Sequence, residues 1–377
     1  MNMHGCSLHY RTDQSRNLNY EQVFFYMTKH NKWILNSIGI WPAVLLGIGK
    51  YLPNIAIVIS NLILSFTLLQ CILHIVFEQK NPLLRLKILG LTAFSFISML
   101  KYWALTLRKN KIKRCIEQLR TDWKQVELRE DRDLMLRYGK IGRNLSVSSV
   151  VFIGLLDVQK SPVYELVYVL QCVCGYVFDT VTASVCGLAA LFVTHACGQI
   201  DIVMARLNDL VDGKLAREIS NPHTRLMEIV ERHMKVLRFS TTVEAVLSEV
   251  CFLEFVGTTF VICLLEFYCL TDWRQNDIIS LITYTLLLIS LTFNIFLLCY
   301  ISDLLIEKST NVGKSCCMID WYELPNSTIR GLILIIAISK NPAKITAGNI
   351  ADLSLSTFAN ILKTSFAYLN FLQTATV

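Results

Sequence analysis

The sequence predicts an all-α membrane protein: a bundle of seven transmembrane helices with an inverted topology and a cytoplasmic helical anchor. Two observations carry most of this prediction. The chain is 53% hydrophobic and 17% charged, with a mean hydropathy of +0.46, which is too apolar for a single soluble core. An uncharged run of 24 residues at 278–301 is long enough to cross a hydrocarbon core of roughly 30 Å as a helix.

Five segments are clear spanning candidates: 54–77, 88–107, 166–195, 245–270 and 278–301. A sixth, 144–156, offers 13 uncharged residues, which cover only about 20 Å as a helix. We expect it to cross with help from the amphipathic stretch before it or from local bilayer thinning. If it fails to cross, the topology changes.

The last spanning segment is divided. Seven apolar residues at 332–338 are ended by Lys340 and Pro342, which makes this piece too short to cross the bilayer. A second helix is expected to begin near Asp352 and to run to the end of the chain. Only this second helix is long enough to span.

The distribution of Lys and Arg predicts the orientation. With seven crossings, 30 of the 36 Lys and Arg residues fall on one side, in segments 1–52, 101–143, 206–238 and 308–344. By the positive-inside rule the amino terminus is then cytoplasmic and the carboxyl terminus extracellular. A G-protein-coupled receptor has the reverse orientation. In a membrane chain this distribution matters more than the net charge of +7, so a nucleic-acid partner is not expected.

These predictions divide the chain into four parts. Residues 1–52 form a cytoplasmic amino-terminal segment, and residues 53–302 form helices one to six with cytoplasmic extensions. Residues 303–349 form a cytoplasmic loop with an anchor half-helix, and residues 350–377 form the last transmembrane helix.

Two cytoplasmic loops carry apolar residues at helical steps of three and four. One interpretation is a helical stalk whose apolar stripes pack against its own neighbours, and the other is an anchor between subunits. The stripes are Ile112, Ile116, Leu119, Trp123 and Val126, then Leu226, Ile229, Val230, Met234 and Leu237.

No enzyme pattern is evident. The sequence contains no phosphate-binding glycine loop, catalytic triad or paired-carboxylate motif, and no cofactor is expected. His195 and Cys197 are too few for a zinc site and are interpreted as packing residues. Glu249 and Glu254 are expected at the cytoplasmic boundary of the fifth span. Asp179 is expected to face the protein interior or water.

The chain resembles the insect odorant receptors, a family of ligand-gated cation channels, and within it the expanded receptors of ants and bees. The resemblance covers the whole length, and its motifs are specific only in combination. They are Asn31-Lys32-Trp33, Gly39-Ile40-Trp41-Pro42, Ser161-Pro162-Val163-Tyr164-Glu165, Thr194-His195-Ala196-Cys197-Gly198-Gln199 and the run from Trp321 to Tyr368.

The resemblance implies a tuning receptor, because the second cytoplasmic loop has only 45 residues, 199–243, whereas the co-receptor of the family carries a long insertion there. From the resemblance, such a subunit is expected to assemble with the odorant co-receptor into a tetramer around a non-selective cation pore. It is also expected to act in the plasma membrane of olfactory sensory neuron dendrites and to bind small volatile odorants.

The resemblance also implies two sets of site residues. The ligand pocket of the family lies in the outer half of the membrane, and here it corresponds to Phe94, Ile97, Tyr176, Phe178, Thr283, Tyr284 and Leu287. The last helix lines the pore, with Asn360, Thr364, Phe371 and Thr374 on one face and with Phe371 and Ala375 as gate residues. Each residue taken alone also fits ordinary helix packing.

Three alternatives stay open. A gustatory-type channel is disfavoured because Thr364-Ser365-Phe366 stands where that family carries its last-helix signature. A transporter would show an internal repeat, and none is evident. The third is a non-conducting, truncated receptor product, because the third span and its outer loop are shorter than the family pattern.

Overall fold

The computed structural model describes residues 20–42, 51–77, 82–126, 128–151, 162–211 and 221–376. This part of the chain forms ten α-helices, one 3₁₀ turn (Trp321–Glu323) and one small hairpin, Thr346–Ala347 (β1) with Ala351–Asp352 (β2). The helices are α1 (Tyr20–Ser37), α2 (Leu52–Phe77), α3 (Pro82–Leu107), α4 (Lys109–Gln125), α5 (Arg129–Val151), α6 (Pro162–Asn208), α7 (Pro222–Gln275), α8 (Ile278–Met318), α9 (Asn326–Ser339) and α10 (Leu355–Thr376).

Five described helices are long and apolar enough to cross a membrane, and they coincide with the five clear predicted spans. Three of them continue beyond the predicted spans: α6 continues to Asn208, α7 begins at Pro222 and α8 continues to Met318. At 1.5 Å per residue these extensions reach about 20 to 35 Å beyond the predicted spans. The prediction that these helices extend beyond their spans is therefore confirmed, and the cytoplasmic location of the extensions stays a prediction.

The two doubtful predicted spans correspond to α5 and α10. Helix α5 begins at Arg129 and so takes in the amphipathic stretch before the short uncharged run, whose residues 152–156 lie outside the described ranges. Whether the third span crosses stays a prediction. Helix α9 has 14 residues, about 21 Å, and is separate from the 22-residue α10, as the division of the last segment predicted.

The turn between α7 and α8 contains two residues. Asn276 adopts a left-handed backbone conformation with φ 53°, which ends α7 as helix C-termini commonly do. Asp277 then accepts a hydrogen bond from the Ser280 backbone N–H at 3.3 Å and so caps α8. Because the turn is this short, α7 and α8 run antiparallel and in contact.

Helix α6 lies at the centre of the bundle and packs against α1, α5, α7 and α8. Small residues make this close packing possible. A Cβ on Gly187 would lie 2.2 Å from Asn31 Oδ1 of α1, and a Cβ on Gly142 of α5 would lie 2.4 Å from Thr194 Oγ1 of α6. Asn31 also donates a hydrogen bond to Ser146 of α5 at 3.4 Å. The amino-terminal segment is thus built into the bundle through α1.

The stalk, defined as α4, α5 and the extensions of α6, α7 and α8, lies on the side predicted to be cytoplasmic and has many buried apolar residues. Ile112, Ile116, Leu119 and Trp123 of α4 are at most 6% exposed, and Leu226 and Ile229 of α7 are equally buried. For these six residues the structure agrees with the first interpretation, packing within the chain. Val126, Val230, Met234 and Leu237 are only partly buried, so an anchor between subunits stays a prediction.

A charged cluster lies inside the stalk. The Asp122 carboxylate of α4 is 3.0 Å from His195 Nε2 of α6 and 2.7 Å from Lys235 Nζ of α7. His195 also packs edge-on against the Phe239 ring, with centroids 5.3 Å apart. His195 is therefore the hydrogen-bonding partner of a buried acid, whereas Cys197 is a buried packing residue. The interpretation of His195 as packing alone missed its polar role.

The hairpin between α9 and α10 turns through Gly348 and Asn349, with φ +61° and +60°. Positive φ at both central residues defines a type I′ turn, and the Ile350 N–H donates to the Ala347 carbonyl at 3.0 Å. The hairpin is fastened to α7, because the Gly348 N–H donates to the Ser248 carbonyl at 3.0 Å. The Thr346 hydroxyl donates to Glu244 at 3.0 Å.

Candidate ligand pocket and pore helix

Two of the predicted pocket residues are in contact. The Phe94 ring of α3 lies 5.8 Å from the Phe178 ring of α6 in a tilted arrangement, a geometry that aromatic pairs favour. Ile97, one turn further along α3, faces Gly257 of α7, and a Cβ on that glycine would lie 2.6 Å from the Ile97 side chain. The bare backbone of Gly257 therefore allows α3 and α7 to approach closely at this level.

One of the three α8 residues of the predicted pocket contacts a different aromatic residue. Tyr284 lies 5.4 Å from Tyr268 of α7, and the Tyr268 hydroxyl donates to the Leu86 carbonyl of α3 at 2.5 Å. Leu287 is partly buried against the same core, whereas Thr283 donates to the Ile279 carbonyl of its own helix at 3.0 Å. Helix α7, which the predicted pocket did not include, thus contributes Tyr268, which contacts both α3 and α8, and Gly257, which packs against α3.

Tyr176 and Phe178, two residues apart on α6, differ in their exposure. The Tyr176 side chain is 46% exposed, against 5% for Phe178. Two residues apart on a helix point to different sides, so only one of the pair faces the bundle interior. The structure therefore groups Phe94 with Phe178 and Tyr284 with Tyr268.

A buried ion pair beneath these aromatic residues was missed by the sequence prediction. Lys101 Nζ of α3 lies 2.7 Å from Glu254 Oε2 of α7, and both side chains are at most 3% exposed. Lys101 also donates to the Thr182 hydroxyl of α6 at 3.1 Å, and the Thr258 hydroxyl donates to Glu254 at 3.1 Å. This network joins three helices and satisfies the hydrogen-bonding groups of both charges.

The two acids at the start of the fifth span have different surroundings. Glu254 is 1% exposed inside the bundle, whereas Glu249 is 67% exposed and pairs with Arg108 at the surface. Their position at the cytoplasmic boundary stays a prediction. Lys101, counted above with the cytoplasmic cations, is also buried. Its Nζ lies 5.9 Å from the Phe94 ring centroid, which places the ion pair next to the Phe94 and Phe178 pair. Asp179 of α6 is partly buried, and its carboxyl group is close enough to Lys101 for the two charges to interact.

Helix α10 has two different faces. Ile361 and Ser365 are buried against the neighbouring helices, whereas Asn360, Thr364, Phe371 and Thr374 are exposed. The four predicted pore-lining side chains therefore share one outward face. Thr364 and Thr374 donate to the carbonyls of Asn360 and Asn370, at 2.8 and 2.9 Å. Ala375 lies in the last turn of α10, and its side chain is outside the described ones.

A second polar network lies deep in the stalk. Asp201 of α6 accepts hydrogen bonds from Lys308 of α8 at 2.9 Å and from the Tyr138 hydroxyl of α5 at 2.7 Å. Burial raises the pKa of Tyr138 to about 12. Burial alone would lower the pKa of Lys308, but its hydrogen bonds to Tyr138 and Asp201 outweigh this and raise that pKa. Lys308 therefore stays charged and ties α8 to α6 at neutral pH.

The buried acid of α4 is held ionised in the same way. Burial alone would raise the pKa of Asp122, but the hydrogen bond and the charge of His195, followed by those of Lys235, outweigh it and lower that pKa. The two polar networks connect α4, α5, α6, α7 and α8, so the stalk behaves as one cross-linked unit. No group of three or more potential metal ligands occurs in the described ranges.

Comparison with known proteins identifies the family. The profile described as 7tm Odorant receptor matches residues 149–366, which is more than half of the chain. Odorant receptor 10 of Aedes albopictus is 25% identical over 232 residues, which span 59% of each of the two chains. Odorant receptor Or2 of Anopheles gambiae is 24% identical over 319 residues, or 75% of this chain and 82% of that one.

Solved structures show the same architecture. The insect olfactory receptor OR5 from Machilis hrabei matches with a TM-score of 0.69 and 16% identity, over 94% of this chain and 99% of that one. The structure of that receptor in complex with eugenol matches with a TM-score of 0.67 and 14% identity, over 95% and 100% of the two chains. At this identity the likeness concerns the fold, a seven-transmembrane helical bundle.

The five apolar helices, the profile match and the shared fold agree with the expected all-α, multi-pass membrane protein. Several further relatives are odorant receptors of Drosophila melanogaster, and the family comprises receptors rather than enzymes. The finer likeness to the receptors of ants and bees stays a prediction. The chain belongs to the insect odorant receptor family.

Proposed function

We propose that this chain is the odorant-binding subunit of a ligand-gated, non-selective cation channel that assembles with the odorant co-receptor. It acts in the plasma membrane of olfactory sensory neuron dendrites. The observation that carries the proposal is the outward face of α10, where polar side chains are exposed on a helix long enough to cross a bilayer.

Such a face fits a water-filled path better than lipid. Side-chain amides in hydrocarbon lack hydrogen-bonding partners, and Asn360 is exposed on this face of α10. The threonine hydroxyls of the face are satisfied by their own helix, so Asn360 is the stronger indication of water. In a tetramer with the co-receptor, this face of α10 would contribute polar groups to the wall of the central pore and would place Phe371 and Ala375 near its outer end.

A second exposed surface supports assembly. The cytoplasmic end of α8, the 3₁₀ turn and α9 expose a series of apolar side chains, all at least half exposed. Exposed apolar clusters of this kind mark interaction surfaces, and this one lies in the part of the chain predicted to form the anchor. Its members are Met318, Trp321, Tyr322, Ile333 and Leu334.

Odorant binding is assigned to the aromatic region between α3, α6, α7 and α8. Phe94, Phe178, Tyr268 and Tyr284 offer ring faces and edges for a mostly apolar ligand. An odorant opens the channel to the extent that it binds the open state more tightly than the closed one. The orientation, with a cytoplasmic amino terminus, and the four-part division of the chain are included in this proposal.

The test is whole-cell current in cells that express this chain with an insect odorant co-receptor, measured across a broad odorant panel. The co-receptor alone is the control. We expect currents that require both chains. Silence in response to every odorant, with surface expression confirmed, would contradict the proposal and would favour the non-conducting alternative.

A paired substitution tests whether this chain lines the pore. Asn360→Asp places a carboxylate on the predicted pore face, and we expect it to shift the reversal potential toward greater divalent permeability. Asn370→Asp makes the same chemical change about 80° away around α10. Equal reversal potentials for the two variants and the wild type would contradict a pore-lining role for this face.

A further inference from the structure

A groove runs between α7, α8 and α10. Its volume is about 450 Å³, which lies within the range of small-molecule sites, roughly 300 to 1,000 Å³. Its walls are mainly aromatic and aliphatic, with Phe296 of α8 facing Phe358 of α10 at 5.4 Å between ring centroids. None of the seven predicted pocket residues lines it.

One buried carboxyl group borders this groove. Glu266 of α7 lines the groove and is 9% exposed. Its Oε1 accepts a hydrogen bond from the Ser365 hydroxyl of α10 at 3.1 Å. Its Oε2 is fully buried and has no hydrogen-bonding partner among the described residues. A carboxyl oxygen left unpaired in an apolar wall is costly, and a ligand that reached it would remove that cost.

The groove lies on the side of α10 away from the predicted pore face. Phe358, Leu362 and Phe366 follow one another at steps of four along α10 and form one wall. At 100° per residue, this stripe is more than 90° from the mean direction of Asn360 and Thr364. An occupant of the groove would therefore contact the back of the pore helix without blocking the pore.

We propose that this groove is a second ligand site, which binds an apolar alcohol or phenol whose hydroxyl pairs with Glu266. A hydroxyl group both donates and accepts, so it complements the free carboxyl oxygen whether or not that carboxyl carries a proton. The apolar body of the ligand packs against the aromatic stripe of α10 and against Phe296 of α8. Because the ligand touches α7, α8 and α10 together, it biases whichever position of α10 fits it better.

The test is photolabelling of the purified full chain in lipid nanodiscs, followed by peptide mapping by mass spectrometry. The probe is an eight-carbon aliphatic alcohol that carries a diazirine, and the matched control probe is the same molecule without the hydroxyl. We expect the alcohol probe to label peptides around Phe296 and Leu362. Unlabelled 1-octanol should compete for these positions more effectively than octane.

Substitutions sharpen the test. Glu266→Leu removes the hydrogen-bonding group, and we expect it to lower labelling of the groove about fivefold, the effect of one hydrogen bond. Glu266→Gln keeps both a donor and an acceptor and should retain the labelling. Glu249→Leu, which removes an exposed acid from the same helix, should leave it unchanged. Size-exclusion profiles identify any variant that fails to fold.

Two results would overturn the proposal. Equal labelling of the groove by both probes, with no effect of Glu266→Leu, would show that it is filled by lipid chains without recognition of a hydroxyl. Labelling confined to peptides containing Phe94 and Phe178 would show that the alcohol binds elsewhere. Both readouts measure binding without current, so they are independent of whether the chain conducts with a co-receptor.

Discussion

Helices α2 and α6 are both apolar enough to cross a membrane, yet they occupy opposite environments. In the most apolar window of α2 only 17% of residues are buried inside the protein, whereas in that of α6 94% are buried. The more apolar of the two is α2. Hydropathy therefore indicates that a helix leaves water and says little about whether it enters lipid or the protein core, because both surroundings are apolar.

The difference lies in residue size and in polar partners. Helix α6 carries Ala, Gly, Ser, Thr and Cys through its buried stretch, whereas α2 exposes large aliphatic residues such as Leu62 and Val58. Small residues allow neighbouring backbones to approach. Buried hydroxyls, such as that of Thr182, then meet partners on those neighbours. A central helix is recognised by these two features together.

The largest expected effect comes from breaking the polar network around α6. Lys101→Met leaves Glu254 buried without its partner, and we expect a loss of about 3 to 5 kcal/mol of stability. The measurement is thermal unfolding of the detergent-solubilised chain. The double variant Lys101→Met with Glu254→Leu removes both charges and should recover most of the loss. A double variant as unstable as the single one would contradict this account.

A smaller effect is expected from overfilling the contact between α1 and α6. Gly187→Val drives a side chain into the position of Asn31 Oδ1, 2.2 Å from an ideal Cβ, and we expect it to cost about 1 to 3 kcal/mol. Gly175→Val on the same helix is the matched control, because a Cβ there meets nothing within 4 Å. If the two variants have the same Tm, the close approach of α1 does not constrain α6.

Truncation of one leucine to alanine in each helix compares the packing of α6 and α2 directly. Leu188 of α6 is fully buried and Leu62 of α2 is 64% exposed. We expect Leu188→Ala to cost about 2 kcal/mol, the low end of the soluble-protein range, since leaving lipid contributes little for an apolar side chain. Leu62→Ala should be nearly neutral. A comparable shift in Tm for the two variants would contradict the assignment of α2 to the lipid-facing periphery.

The smallest effect depends on pH and lies in the stalk. Burial lowers the pKa of His233, so the unfolded chain binds a proton that the folded chain resists. The contribution of neutral His233 to stability is therefore complete when the pH is above the ordinary pKa of histidine, and it falls as the pH drops below that pKa. Tm should decline between pH 7.5 and 5.5, with a shallower decline in His233→Leu. His223→Leu, which alters an exposed residue of the same helix, should follow the wild type.

The sequence predicted the apolar segments well because lipid imposes a long run of apolar residues on any spanning helix. The outer ends of α7 and α8, at Gln275 and Ile278, lie within a few residues of the predicted ends. The extensions of α6, α7 and α8 were expected from the helical periodicity of two loops, but the residues at which they begin or end were not predicted, because amphipathic turns carry charges that resemble loops. Helix α1 was not predicted, because its burial depends on contacts with α5 and α6 and not on its own hydropathy.

Contacts between residues far apart in the chain could not be predicted from the sequence. Lys101 and Glu254 are 153 positions apart, and neither has a local partner that would indicate a salt bridge. The predicted pocket residues divided into two aromatic pairs because Tyr268 of α7 comes between α3 and α8, and no local pattern marks it as a pocket residue. By contrast, Gly348-Asn349 is a recognised hairpin signal, and it could have indicated the turn before α10.

Because the hairpin holds one end of α10, a tilt at that end moves the other end of the helix by a larger distance. The base of α10 is clamped to α7 through Ser248 and Glu244, and its 22 residues extend about 33 Å from that clamp. A tilt of about 5° at the base would carry the far end through about 3 Å, comparable to the radius of a hydrated constriction. Small displacements of α7 can thus be magnified at the opposite membrane surface without any change in the length or internal geometry of α10.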